Sequence, residues 1–303
     1  MKIKKCFNRF HFILLAFVST CLCAKNENTN TVETHQPPKT GNFALPSAQQ
    51  ISPLVSFGQN IVDKGTKQVF MEPDYIQAPM EHYTTATPSF LYGLSDISSL
   101  FISVPAAINY KDDGAHSSGL SDALIQLEYS FFETSNRSYT TQATFVANAT
   151  LPSGSIEKSP PTGSGSPTFL LGTTYNITTV NWYAFVSPGA ILTTKKNNFK
   201  PGAQYLYQFG LGRTFLTATN KYIFAGLVEF NGIINEKSSL FNQALPDTGG
   251  KVLGVTPSLW FSNKQLILQF GVGFPLYQQL NGNQQPNNYI LVGNAAWLFT
   301  PDF

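Results

Sequence analysis

The chain has 303 residues and a formal net charge of +2, with 19 Lys and Arg against 17 Asp and Glu. Only 12% of the residues are charged while 14% are aromatic; soluble domains carry about 25% charged residues. That balance excludes a disordered chain, a halophile-type surface and a broad basic face for nucleic acid.

The first 24 residues read as a secretory signal. Lys2, Lys4, Lys5 and Arg9 make a basic start, residues 12–18 an apolar run too short to span a bilayer, and small residues stand near Ala24. All three cysteines, Cys6, Cys21 and Cys23, lie in this stretch. Cleavage after Ala24 therefore removes disulfides, thiolate metal sites and cysteine nucleophiles together. A lipoprotein reading at Cys21 competes, but Thr20 is bulkier than the small residue expected there. Residues 25–63 are polar, contain proline and have no sustained periodicity, so they are expected to be a partly disordered linker or a partial plug of the domain after them.

From residue 64 to 303 the pattern alternates with period two. Ala123, Ile125, Leu127, Tyr129 and Phe131 interleave with Gln126, Glu128 and Ser130, while Tyr205, Tyr207, Phe209 and Leu211 interleave with Gln204, Gln208, Gly210 and Gly212. Each such run is a strand with one apolar and one polar or small face. About twelve segments follow one another, near 65–78, 83–94, 98–108, 119–132, 138–151, 167–176, 181–194, 202–215, 221–234, 251–262, 265–277 and 287–299. The connections alternate between turns of two to five residues and mostly longer loops rich in Gly, Pro, Ser and Asn. Long alternating strands, an even count and loops of two lengths predict an all-β, up-and-down antiparallel transmembrane barrel of about 12 strands. A soluble β-sandwich shares the alternation, but its strands are shorter, about 5–6 residues. Trp297 and Phe299 end the last alternating run and the chain stops at Phe303. That ending is the expected assembly signal for the barrel-insertion machinery.

Closure assigns the faces, because lipid accepts only the apolar set and the polar set must line the lumen. Gln126, Glu128, Gln142, Gln208, Glu229 and Asn231 are the expected lumen and solute-pathway residues. Glu128 and Glu229 carry two readings: they filter solute, or they hydrogen-bond other lumen groups and hold the barrel in shape. Arg213 falls on the apolar face near a short turn and is expected to snorkel to the interface. Asp112, Asp113 and His116 share one predicted loop. A loop-borne hydrolase would use such groups, yet no spacing specifies a nucleophile and its base, so no catalytic residue is assigned. No metal site or cofactor is expected either.

The motifs Tyr92-Gly93-Leu94-Ser95-Asp96, Gly119-Leu120-Ser121-Asp122, Leu151-Pro152-Ser153-Gly154, Gly163-Ser164-Gly165-Ser166, Lys200-Pro201-Gly202, Glu229-Phe230-Asn231-Gly232, Thr256-Pro257-Ser258-Leu259-Trp260 and Phe274-Pro275-Leu276-Tyr277 occur in this order. In them the chain resembles a group of bacterial outer-membrane transporters named for the meta-pathway of phenol degradation, over about residues 58–303. Ser153 stands where a threonine is more usual. The resemblance implies a passive channel for a small hydrophobic or aromatic solute in a Gram-negative outer membrane. The expected partners are outer-membrane lipids, the insertion machinery and that solute, not nucleic acid, with both termini periplasmic. The competing expectation is a non-transporting surface protein whose long loops bind a partner.

Overall fold

The computed structural model describes residues 40–136 and 138–299. The signal, residues 25–39 of the expected linker and Phe303 lie outside the described residues.

Twelve antiparallel strands form one closed sheet. They are β1 (Lys67–Gln77), β2 (Glu81–Ser95), β3 in two pieces (Ser98–Ser103 and Ala106–Asp112), β4 in two pieces (Ala115–Leu120 and Ala123–Ser135), β5 (Tyr139–Leu151), β6 (Thr168–Thr179), β7 (Trp182–Thr193), β8 (Gln204–Ala218), β9 (Tyr222–Asn235), β10 (Gly250–Asn263), β11 (Leu266–Leu280) and β12 (Tyr289–Phe299). Each pairs with its neighbours in the chain. The cylinder closes because β1 pairs on one side with β2, Lys67 opposite Tyr92, and on the other with β12, Lys67 opposite Phe299. Closure removes the sheet edges that lipid could not hydrogen-bond.

Burial follows the pleat. In β4, Leu127, Tyr129 and Phe131 are more than half or half exposed, at 53%, 50% and 56%, while Gln126, Glu128 and Ser130 between them are buried. The exposed row is apolar and the buried row polar, the reverse of a water-soluble sheet and the arrangement a bilayer requires. Trp297 and Phe299 also face outward on β12. Arg213 sits opposite Trp182 on the outer face with its guanidinium carbon 5.2 Å from the indole centroid, a cation–π contact near the short turns.

All twelve expected segments are strands, with one loop misread. Residues 109–118 were expected to be a loop, but β3 continues to Asp112 and turns through Asp113 (φ 42°) and Gly114 (φ 84°) directly into Ala115 of β4. The extension carries polar residues on both faces, Asn109, Lys111, His116 and Ser118 on one and Asp112 and Ser117 on the other, so hydrophobic periodicity is blind to it. Only Asp113-Gly114, a dipeptide suited to a tight hairpin, marks the turn. Elsewhere at this end, Phe199–Lys200, Ser239–Leu240 and Gln243–Ala244 from two neighbouring loops join in a small three-stranded sheet.

Candidate functional site

The lumen is occupied by the chain's own residues 40–66. They run in two passes. The outer pass follows the short-turn rim: the Asn42 amide donates to Val180 O (2.7 Å) in the β6–β7 turn, Asn220 of the β8–β9 turn donates to Ala44 O (2.8 Å), and Gln49 Nε2 donates to Lys264 O (2.9 Å) in the β10–β11 turn. The Asn42 side chain also donates to Thr179 O (2.9 Å) and Trp182 O (3.1 Å) and accepts from the Thr214 hydroxyl. Each pairing satisfies a polar group that the end of a strand would otherwise leave unmatched.

The inner pass sweeps back across the wall one level deeper. Glu229 on β9 accepts the backbone N–H groups of Leu54 (2.7 Å), Val55 (3.2 Å) and Ser56 (3.0 Å) on its two carboxylate oxygens. The Ser56 hydroxyl donates to Asn231 Oδ1 (2.9 Å), and the Phe57 amide to Gln208 Oε1 (3.1 Å) on β8. Across the lumen Glu128 accepts from Asn60 through both its backbone N–H (2.9 Å) and Nδ2 (2.8 Å), while Gln126 Nε2 donates to the same carboxylate (2.7 Å). Asn148 Nδ2 donates to Gln126 Oε1 (3.1 Å) behind them. Val62 then donates to Ser99 Oγ (3.1 Å) and Lys64 to Asp96 Oδ1 (3.0 Å), which delivers the chain to β1.

An extended segment without a sheet partner has backbone donors to satisfy, and inside a barrel only side chains of the wall can reach them. Carboxylates suit this task because each accepts several N–H groups, and hydrogen bonds to charged acceptors are the stronger kind. Of the six expected lumen residues, Glu128, Glu229, Asn231 and Gln208 bind the segment and Gln126 supports Glu128. Gln142 stands apart, donating to Glu133 Oε2 (3.0 Å) near the β4–β5 turn.

The wall is also shaped for this segment. The Phe57 ring lies against Gly172 of β6 and Gly189 of β7, where a Cβ would come within 2.6 Å and 2.8 Å of ring carbons. Close approach of this kind requires glycine. Below it Leu45, Ile51 and Val62 join Leu91, Ile223, Leu227, Trp260 and Ile267 in a buried apolar cluster.

Two cavities flank the segment. One of about 530 Å³ opens beside the short turns, where Asp63, Asp96, Glu133 and Gln142 meet Gln50 and Gln59 of the segment. The other, about 350 Å³, lies on the side of Leu54 and Val55 toward the long loops and is bounded by Glu72 and Asp74 of β1, Thr87 of β2 and Ile290 and Val292 of β12. Sequence reasoning missed Glu72 and Asp74 because the inward row of β1, Gln68, Phe70, Glu72, Asp74 and Ile76, mixes polar with apolar residues. Asn42, Phe57 and Asn60 were missed because the lining segment, two short 3-10 turns (Gly41–Ala44 and Ser47–Gln49) followed by irregular chain, has no periodicity to detect. Asp112 and His116 are strand residues at the long-loop end, opposite Glu81 and Lys111 respectively.

The fold has clear likenesses among solved structures. An outer membrane channel from Pseudomonas putida F1 superposes with a TM-score of 0.66 at 13% identity, over 81% of this chain and 100% of that one. Weaker likenesses are to the KdgM porin (TM-score 0.45, 10% identity, 77% of this chain and 99% of that one) and to LpxR from Salmonella typhimurium (0.46, 9%, 77% and 100%). No curated protein matches the sequence. The family model described as "Putative MetA-pathway of phenol degradation" matches residues 52–276, from the start of the inner pass through most of the barrel, and the chain belongs to that family.

Proposed function

We propose that this outer-membrane barrel is a passive channel for small hydrophobic or aromatic solutes, with residues 40–66 as a resident lining that narrows its lumen. The observation that carries the reading is a closed twelve-strand barrel whose inner wall joins an apolar anchor to a polar row and keeps cavities on both sides of the resident segment. Twelve strands give a lumen between the side-chain-filled eight-stranded barrels and the open sixteen-stranded porins, so the segment decides what passes. Membership of the family and the fold shared with the Pseudomonas putida channel support transport. On this reading the short turns and both termini face the periplasm, and lipid covers the apolar belt. Gln126, Glu128, Gln208, Glu229 and Asn231 shape the pathway by holding the segment, and Gln142 faces the solute at the short-turn vestibule.

A tethered channel tests this. Ser56 and Asn231 are in hydrogen-bond contact, and the processed chain has no cysteine of its own, so Ser56→Cys with Asn231→Cys can be oxidised to lock the segment. In planar bilayers the protein should show single-channel current in both the reduced and the oxidised state, because a resident segment tethered where it already sits leaves the path beside it open. A silent reduced protein that also fails to swell solute-filled liposomes overturns the channel reading.

A second reading has its own observation. At the tip of the three-stranded sheet Phe241 is 68% exposed and holds φ 50° beside Asn242 at 67°. A large apolar side chain in the left-handed region bears strain and exposure together, which favours a surface role for this sheet. Trimming residues 238–245 while keeping solute flux would separate that role from transport.

A further inference from the structure

Among the described residues, every charged side chain that borders the two lumen cavities is acidic. Glu72 and Asp74 border the cavity on the long-loop side, and Asp63, Asp96 and Glu133 the one at the short turns, with no Lys or Arg among the described residues that border either. Between them stand Glu229 and Glu128, whose hydrogen bonds come from backbone and amide N–H groups of the segment and from Gln126, none of them cationic. Of the basic residues, Arg213 faces outward over Trp182, and Lys158, which borders a separate cavity with His116, donates its ammonium to Ser118 O. The carboxylates are also not equivalent. Glu229 and Glu128 are occupied in holding the chain, whereas Glu72 accepts only the Ser89 hydroxyl (2.8 Å) and Asp74 accepts no hydrogen bond from any described residue.

We infer that the pathway selects cations over anions, with Glu72 and Asp74 setting the preference in the long-loop cavity; this rests on the channel reading above. A narrow path lined by one sign of charge between low-dielectric walls concentrates counter-ions and repels co-ions, and acidic linings favour cations in other pores. The same cavity has aliphatic walls in Ile76, Ile290 and Val292. The solutes that fit both features are small protonated amines with an apolar body, ahead of neutral analogues and well ahead of carboxylates.

The test is the reversal potential of the full processed chain in planar bilayers under an asymmetric KCl gradient. A permeability ratio of about 10 for K⁺ over Cl⁻ is expected, falling toward unity in Glu72→Gln with Asp74→Asn, a pair outside the contacts that hold the segment. A ratio at or below unity in the unaltered protein overturns the inference and leaves transport standing. Absence of any current overturns the channel reading instead. Equilibrium dialysis of the folded protein in micelles then decides the inference alone: 2-phenylethylammonium must bind about tenfold tighter than phenylacetate and lose that margin in the double variant, and equal binding of the two overturns it.

Discussion

The two halves of the lumen are built on different principles. Toward the short turns part of the interior resembles the core of a soluble protein, with Leu45, Ile51 and Val62 of the segment packed against Leu91, Ile223, Leu227, Trp260 and Ile267 beside the cavity of about 530 Å³. Toward the long loops the wall turns polar and acidic, and a cavity of about 350 Å³ remains. The apolar half anchors because burying each of those side chains is worth about 1.5–3 kcal/mol. The polar half leaves room for solute because its carboxylates do not close on one another. A barrel whose outside is greasy can therefore still use ordinary hydrophobic burial inside, provided the chain supplies its own filling.

If the apolar half is the anchor, a charge placed there should do the most damage. Leu45→Asp should release the outer pass, with a loss of several kcal/mol, about 3–5, from an unpaired buried charge; protease cleavage within residues 40–66 of the folded barrel would report it. Glu229→Ala comes next, since it strands three backbone donors, at about 1–3 kcal/mol for a buried group left unpaired. Hydrogen exchange at Leu54, Val55 and Ser56 should accelerate while exchange in the strands does not. If exchange is unchanged, the polar contacts contribute nothing and the apolar half alone holds the segment.

A smaller effect separates shape from charge. Gly189→Ala puts a methyl against the Phe57 ring and should weaken docking by about 1–3 kcal/mol through overpacking. Phe57→Leu should recover most of that loss, so a double-mutant cycle in the proteolysis assay measures the contact itself. The smallest effect concerns Asp63, whose carboxyl is pushed above the usual range by burial and then by the neighbouring Asp96 carboxylate. A folded-state value above the unfolded one favours the docked form below the unfolded pKa and loses that support as pH rises through the folded pKa. The end of the segment next to β1 should thus loosen modestly from acid toward neutral pH, and Asp63→Asn should flatten the dependence. A pH profile identical in both proteins would remove Asp63 from the account.

How far the sequence reaches differs between wall and filling. The strands were legible because lipid enforces strict alternation, and motifs such as Tyr92-Gly93-Leu94-Ser95-Asp96 and Leu151-Pro152-Ser153-Gly154 do end strands, at Ser95 and Leu151. The inward direction of Glu128 and Glu229 was legible from the same rule. What they hold was not, because their partners are backbone N–H groups, which every residue carries and no pattern marks. Pro46 and Pro53 helped give residues 25–63 the look of a linker. They suit an extended lining equally well, since proline withholds a donor that the wall would otherwise have to satisfy. No pattern marks Gly172 and Gly189, because the demand for a missing side chain there comes from the Phe57 ring.

The described part of the internal segment, residues 40–66, begins and ends at one end of the barrel. Asn42 is held at the β6–β7 turn, Lys64 at the β2–β3 turn beside Asp96, and the deepest contacts, around Leu54 to Phe57, lie between them. A chain arranged this way is a loop laid into the barrel, with no thread drawn through it. Its docking therefore requires no free terminus to pass the lumen, so the cylinder can close first and receive its lining afterwards. Withdrawal toward the short turns would likewise break side-chain contacts without unpairing a single strand.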